Sequence, residues 1–203
     1  MKTTLPLLAC LCALALAAVE PIPAFAPNER VLFQGDSITD GNRGRTADPN
    51  HILGHGYAFI IAARHGAGFP ERKLDFTNRG VSGNTVLDLE KRWAKDTLAL
   101  KPDLLSVMIG VNDQSRNVPL EAYEATYDKL LTDARAQNPK LKLVLMEPFV
   151  RHPGKPVPEG IVARQAIVAK LAALEKAAQA KPASPVDKAA PVATTPTPKP
   201  SPE

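Results

Sequence analysis

Cysteine is nearly absent: the 203 residues hold two, Cys10 and Cys12, both near the start of the chain. A small disulfide-stapled domain is thereby excluded, and the body must be held by its own core. Aromatics make up only 5% of residues, with a single tryptophan. No apolar run reaches the roughly 18 residues that a membrane-spanning helix needs. The composition also excludes collagen and coiled coil. A charge excess on the central part is missing too. Residues 27–150 hold 16 Lys+Arg against 16 Asp+Glu, so the formal net charge of +4 comes from residues 151–203, with 8 basic and 4 acidic. Nucleic-acid binders usually show a basic face on their folded part, so no nucleic-acid partner is expected.

What is present begins with a leader. Met1–Ala26 reads as a secretory signal peptide: Lys2 supplies the positive start, and Leu5–Ala18 is an apolar stretch of 14 residues. Ala24-Phe25-Ala26 and Ala15-Leu16-Ala17 both offer a cleavage site, although Pro27 disfavours the first. Leu7-Leu8-Ala9-Cys10 has the look of a lipobox behind a short apolar run. The expected location is exported, periplasmic or secreted, and both cysteines leave with the leader.

The middle alternates short apolar runs with amphipathic ones. Arg30–Gln34, Leu74–Asn78, Leu104–Ile109 and Leu141–Met146 read as strands; Leu104–Ile109 is apolar throughout, the mark of a strand covered on both faces. Between them, 56–67, 86–100 and 120–136 carry helical spacing, with Trp93 on a core face. This order predicts an α/β fold, a flavodoxin-like three-layer α/β/α arrangement around a parallel sheet. Residues 160–180 are alanine-rich, with helical spacing at Ile161, Ile167, Leu171 and Leu174. Residues 181–203 contain 7 prolines and read as a disordered tail, which leaves 27–180 as the one folded domain.

In an open parallel sheet, ligands bind beyond the carboxyl ends of the strands. Three polar glycine loops follow the first three strands: Gly35-Asp36-Ser37-Ile38-Thr39-Asp40-Gly41, Arg79-Gly80-Val81-Ser82-Gly83-Asn84-Thr85, and Gly110-Val111-Asn112-Asp113. Ser82 to Thr85 also suits a phosphate site at a helix start, but that reading leaves the other two loops unexplained. Asp36 and Asp113 read as loop braces or caps.

On these three loops the chain resembles the SGNH hydrolases, also called the GDSL esterase/lipase family, over about residues 30–150. NRGVSGNTVLDLEKRW together with KPDLLSVMIGVND resembles the branch that holds acetylxylan esterases and related carbohydrate deacetylases. The resemblance implies a serine ester hydrolase acting on short acyl esters or carbohydrate O-acetyl groups, without metal or cofactor. It makes Ser37 the nucleophile. The backbone N–H groups of Ser37 and Gly83 and the side-chain amide of Asn112 become the oxyanion hole. The family draws its base and orienting carboxylate from an Asp-x-x-His block after a fifth strand, near the C-terminus. No such block follows residue 150, and the fifth strand is expected to be missing with it. The four histidines are His51, His55, His65 and His152. The alternative reading is therefore a truncated or catalytically impaired relative that at most binds acylated carbohydrate. The oligomeric state is not readable.

Overall fold

The computed structural model describes residues 21–46, 50–150 and 154–180. Most of the leader, His152 and the 181–203 tail lie outside the described residues. Four strands form one parallel sheet: β1 (Arg30–Gly35), β2 (Asp75–Asn78), β3 (Leu104–Met108) and β4 (Lys142–Met146). Their order is β2-β1-β3-β4, with Val31 registered between Phe76 and Leu104, and Leu105 opposite Leu143. Helices α1 (Ser37–Asp40), α2 (Tyr57–Gly68), α3 (Val86–Asp96), α4 (Val111–Ser115), α5 (Leu120–Gln137) and α6 (Glu159–Ala180) complete the unit.

Alternation along the strands divides the core in two, because successive side chains point to opposite faces. Val31, Phe33 and Leu104 pack with Ala58 of α2 on one face. Leu32, Leu105 and Val107 meet Leu89 and Trp93 of α3, Leu130 of α5 and Leu171 of α6 on the other. The result is the expected three-layer α/β/α arrangement, and the twofold coverage of β3 explains its unbroken apolar run. Beyond β4 no fifth strand occurs among the described residues, and Val144 is 40% exposed. Among these residues no helix is long and apolar enough to cross a membrane.

Two expectations need correction. The helix over 86–100 stops at Asp96, and Leu98–Leu100 is a separate 3₁₀ turn. Gln34 Nε2 donates to both Asp96 O and the buried Thr97 Oγ1, and this pair of bonds draws the chain out of helical geometry at Thr97. In α6 the buried stripe is Ile161, Arg164, Val168 and Leu171, while Leu174 is 55% exposed. Arg164 belongs to that stripe because its Nη1 reaches Gln114 Oε1 at 2.8 Å and its Nη2 donates to Val118 O. Packing also begins upstream of residue 27. Phe25 is 6% exposed and meets His65 and Phe76 edge-on, while its carbonyl accepts from Arg72 Nη1. A cut after Ala26 would remove this contact.

His65 faces this same cluster. It is 2% exposed among Phe25, Phe69 and Phe76, and neither ring nitrogen has a partner among the described residues. Burial lowers its pKa from the ordinary value, and the nearby charges of Arg64 and Arg72 add to the effect. A depressed histidine pKa leaves stability intact above about pH 6.5 and withdraws it as pH falls below that value. The urea midpoint should therefore drop between pH 7.5 and 5.5. His65→Leu should remove part of that drop, by up to about 1.4 kcal/mol per pH unit. An equal drop in parent and variant would contradict the assignment.

Candidate active site

The three glycine loops emerge at the carboxyl end of β1, β2 and β3, side by side. After β1, Asp36 caps α1: its Oδ1 accepts from Ile38 N at 3.0 Å. Ser37 is the first residue of α1 and is exposed. Asp36 itself is 1% exposed with its Oδ2 unpartnered among the described residues, and burial raises its pKa. The brace role expected of Asp36 is what its bond to Ile38 performs.

The second loop is tied to the first at several points. Val81 N donates to Gly35 O at 3.1 Å. Asn78 stands at the end of β2; its Nδ2 donates to Thr39 O and Leu53 O, and its Oδ1 accepts from Gly80 N. Gly80 lies directly against the Thr39–Asp40 backbone, so a Cβ there would collide with Asp40 N. Asp40 is 2% exposed; its Oδ2 accepts from Ser82 N at 2.9 Å, Ser82 Oγ at 2.8 Å and Arg45 Nη2 at 2.7 Å. Burial alone would raise the Asp40 pKa, but the bonds from Arg45 and Ser82 outweigh it and hold the carboxyl at about 2. From beneath, Arg92 gives Nε to Asn84 Oδ1 and Nη1 to Arg79 O. Gly83 sits at φ +83°, a left-handed conformation that side chains other than hydrogen resist.

The third loop joins the second through Asn112. Its Nδ2 donates one hydrogen to Asn84 O at 2.9 Å, which orients the amide and leaves its second N–H uncommitted. Asp113 is fully buried and its Oδ1 accepts from Val86 N, the first residue of α3. Burial pushes its pKa up to about 6, against the opposing pull of the Val86 bond and Arg164. That helix start is further fixed by a capping box between Thr85 and Asp88.

Ser37, Gly83 and Asn112 therefore share one end of the sheet on loops bonded to each other. Among the described residues, the backbone N–H groups of Ser37 and Gly83 make no hydrogen bond. Ser37 heads α1, where the first N–H groups have no intrahelical partner, and Gly83 is half-buried, so both donors are open to solvent or to a ligand. The expected base is where the arrangement is open. No described histidine bonds to Ser37 Oγ. His51 and His55 are exposed, with their rings 5.1 Å apart, and His65 lies in the core cluster. Asp48-Pro49-Asn50-His51 has Asp-x-x-His spacing, but on the loop after β1, with Asp48 outside the described residues. The parts invisible to motif reading are the braces: Asp40, Asn78, Arg92 and the carbonyl of Asn84.

The family model described as the GDSL-like Lipase/Acylhydrolase family matches residues 33–202. A curated acetylxylan esterase from Geobacillus stearothermophilus is 40% identical over 134 residues, covering 60% of this chain. The chain spans 60% of that relative's length. Among solved structures, an alpha/beta hydrolase enzyme from the metagenome of Lake Arreo, Spain, superposes with a TM-score of 0.69 at 32% identity, covering 75% of this chain and 76% of its own. An acetylxylan esterase from Geobacillus stearothermophilus gives a TM-score of 0.66 at 34% identity, with 74% of each chain covered. Solved catalytic mutants of that esterase replace, in separate variants, a serine, an aspartate and a histidine by alanine. The chain belongs to the GDSL-like lipase/acylhydrolase family.

Proposed function

We propose that this chain is an exported serine ester hydrolase for short acyl esters, with O-acetyl groups on plant polysaccharide as its substrate class. One observation carries the reading. An exposed serine at a helix start lies at the carboxyl end of a parallel sheet, where its own N–H and two others on bonded loops are uncommitted among the described residues. The acetylxylan esterase relatives support the substrate class.

In this reading Ser37 Oγ attacks the ester carbonyl carbon, and the carbonyl oxygen takes up the negative charge. The N–H groups of Ser37 and Gly83 and the free N–H of Asn112 meet that charge as it forms, which is where donors accelerate rather than merely bind. Collapse of the tetrahedral adduct expels the alcohol and leaves an acyl-Ser37 ester, which water then cleaves. Both half-reactions need a group that accepts a proton, and the chain's histidines make no such bond to Ser37 among the described residues. Donors and binding without a base retain about 1,000- to 10,000-fold over water.

That gap favours a second reading, in which the chain binds acylated carbohydrate and is acylated without turning over. Hydrolysis of p-nitrophenyl acetate by the full chain and by Ser37→Ala separates the two. Sustained Ser37-dependent release supports the esterase. A single Ser37-dependent burst supports acylation without turnover. Equal background rates would remove Ser37 as a nucleophile altogether.

A further inference from the structure

Outside the outer edge of β2 lies a cavity of about 400 Å³, lined by Arg43, Arg45 and Arg79 together with Asn78, Ile52 and Phe76. We infer that this cavity is a binding site for an oxyanion, a carboxylate or a phosphate group, beside the Ser37 centre and distinct from it.

Among the described residues its charges are unbalanced. Of the three arginines, only Arg45 forms an ion pair among the described residues, and its partner Asp40 is already occupied by both donors of Ser82. Arg43 spends Nε on Gly80 O at 2.9 Å, and its Nη1 reaches Gly44 O only at 3.5 Å. The Arg79 guanidinium donates to no described residue, while its carbonyl accepts from Arg92. Partial burial first, and then the charge of Arg45, bring the Arg43 pKa down to about 10, with Asp40 offsetting only part of this and Arg79 and Arg92 adding to it. The group stays charged at neutral pH, in a place where its charge is opposed. A bound oxyanion relieves that opposition and matches the planar fork of the guanidinium. Ile52 and Phe76 offer apolar surface for the carbon body that carries the anion.

The cavity is also joined to the loop that presents Gly83. Arg43 holds Gly80 O directly, and Arg45 acts through Asp40 on Ser82. An anion seated here touches the same arginines that fix residues 80–83. Two sources present the required chemistry: an acidic sugar on the same polymer as the acyl ester, or a free small anion such as phosphate.

Calorimetric titration of the full chain with D-glucuronate, inorganic phosphate and neutral glucose tests the site and separates its sources. Binding of glucuronate or phosphate with a Kd of about 1 mM or tighter is expected, with none for glucose. Glucuronate binding points to the substrate-borne acid, and phosphate alone points to the free anion. The Arg43→Gln/Arg79→Gln variant should keep its circular dichroism spectrum and bind at least about tenfold more weakly. The affinity should also fall at about 0.5 M salt. Asp48→Asn serves as the control for an internal counter-ion. The inference is overturned if neither anion binds the native chain, if the double variant binds as tightly, or if binding appears only in Asp48→Asn. The titration reads binding alone, so its outcome is independent of whether Ser37 turns over an ester.

Discussion

Asp40→Ala should destabilise the chain by about 3 kcal/mol, read as a lower urea midpoint with an unchanged slope. The side chain is 2% exposed and receives four donors: Ser82 N, Ser82 Oγ and Arg45 Nη2 on one oxygen, and Arg43 N on the other. Alanine removes the acceptor that the Ser82 amide and hydroxyl share with Arg45, while the Arg43 amide keeps its bond to the Asp40 carbonyl. Arg45 is 48% exposed and rehydrates, which keeps the cost below that of a wholly buried pair. The pH dependence has a definite sign. The native carboxyl sits at about 2, below the ordinary 3.8. Its contribution is therefore present above about pH 4 and lost only as pH falls toward 2. Asp40→Asn, which keeps an acceptor oxygen but no charge, should fall between parent and alanine. A loss under about 1 kcal/mol for Asp40→Ala would mean the brace is dispensable.

The second large effect is kinetic. Asn112→Ala should slow acylation of Ser37 by p-nitrophenyl acetate about 100- to 1,000-fold, measured as the rate of p-nitrophenol release in the first turnover. In the proposed mechanism the amide, held by its bond to Asn84 O, offers its remaining N–H to the oxyanion. Preorganised donors of this kind stabilise the developing oxyanion without reorganising during the reaction. Stability should change far less than rate, because Asn112 is only half-buried. A variant that keeps the parent rate would place the oxyanion elsewhere.

Fold and site were unequally legible in the sequence, for physical reasons. β3 announced itself because burial on both faces leaves no polar position between Leu104 and Met108 except Ser106. The three loops were legible because glycine and short polar residues cluster where the backbone must turn at the end of a strand. The register of α6 was not. In an alanine-rich helix many faces look equally apolar, and the face that won is set by Arg164 finding Val118 O and Gln114 across 46 and 50 residues of chain. Asp40 stands within the first glycine loop, but its bond to Ser82 joins positions 42 apart, and no local pattern carries that. Phe25 was read as part of a cleavage signal, since its contact with His65 and Phe76 exists only once the sheet has formed.

The most direct test of the account is the mass of the intact chain after brief exposure to p-nitrophenyl acetate, followed by peptide mapping. Both readings pass through acyl-Ser37, and with no histidine bonded to Ser37 among the described residues its cleavage should be slow enough for the adduct to be caught. The account predicts one acetyl group per chain, located on Ser37, and none at that position in Ser37→Ala. A chain that stays unmodified and releases p-nitrophenol no faster than Ser37→Ala, or acetyl groups scattered over lysines alike in parent and variant, would contradict it.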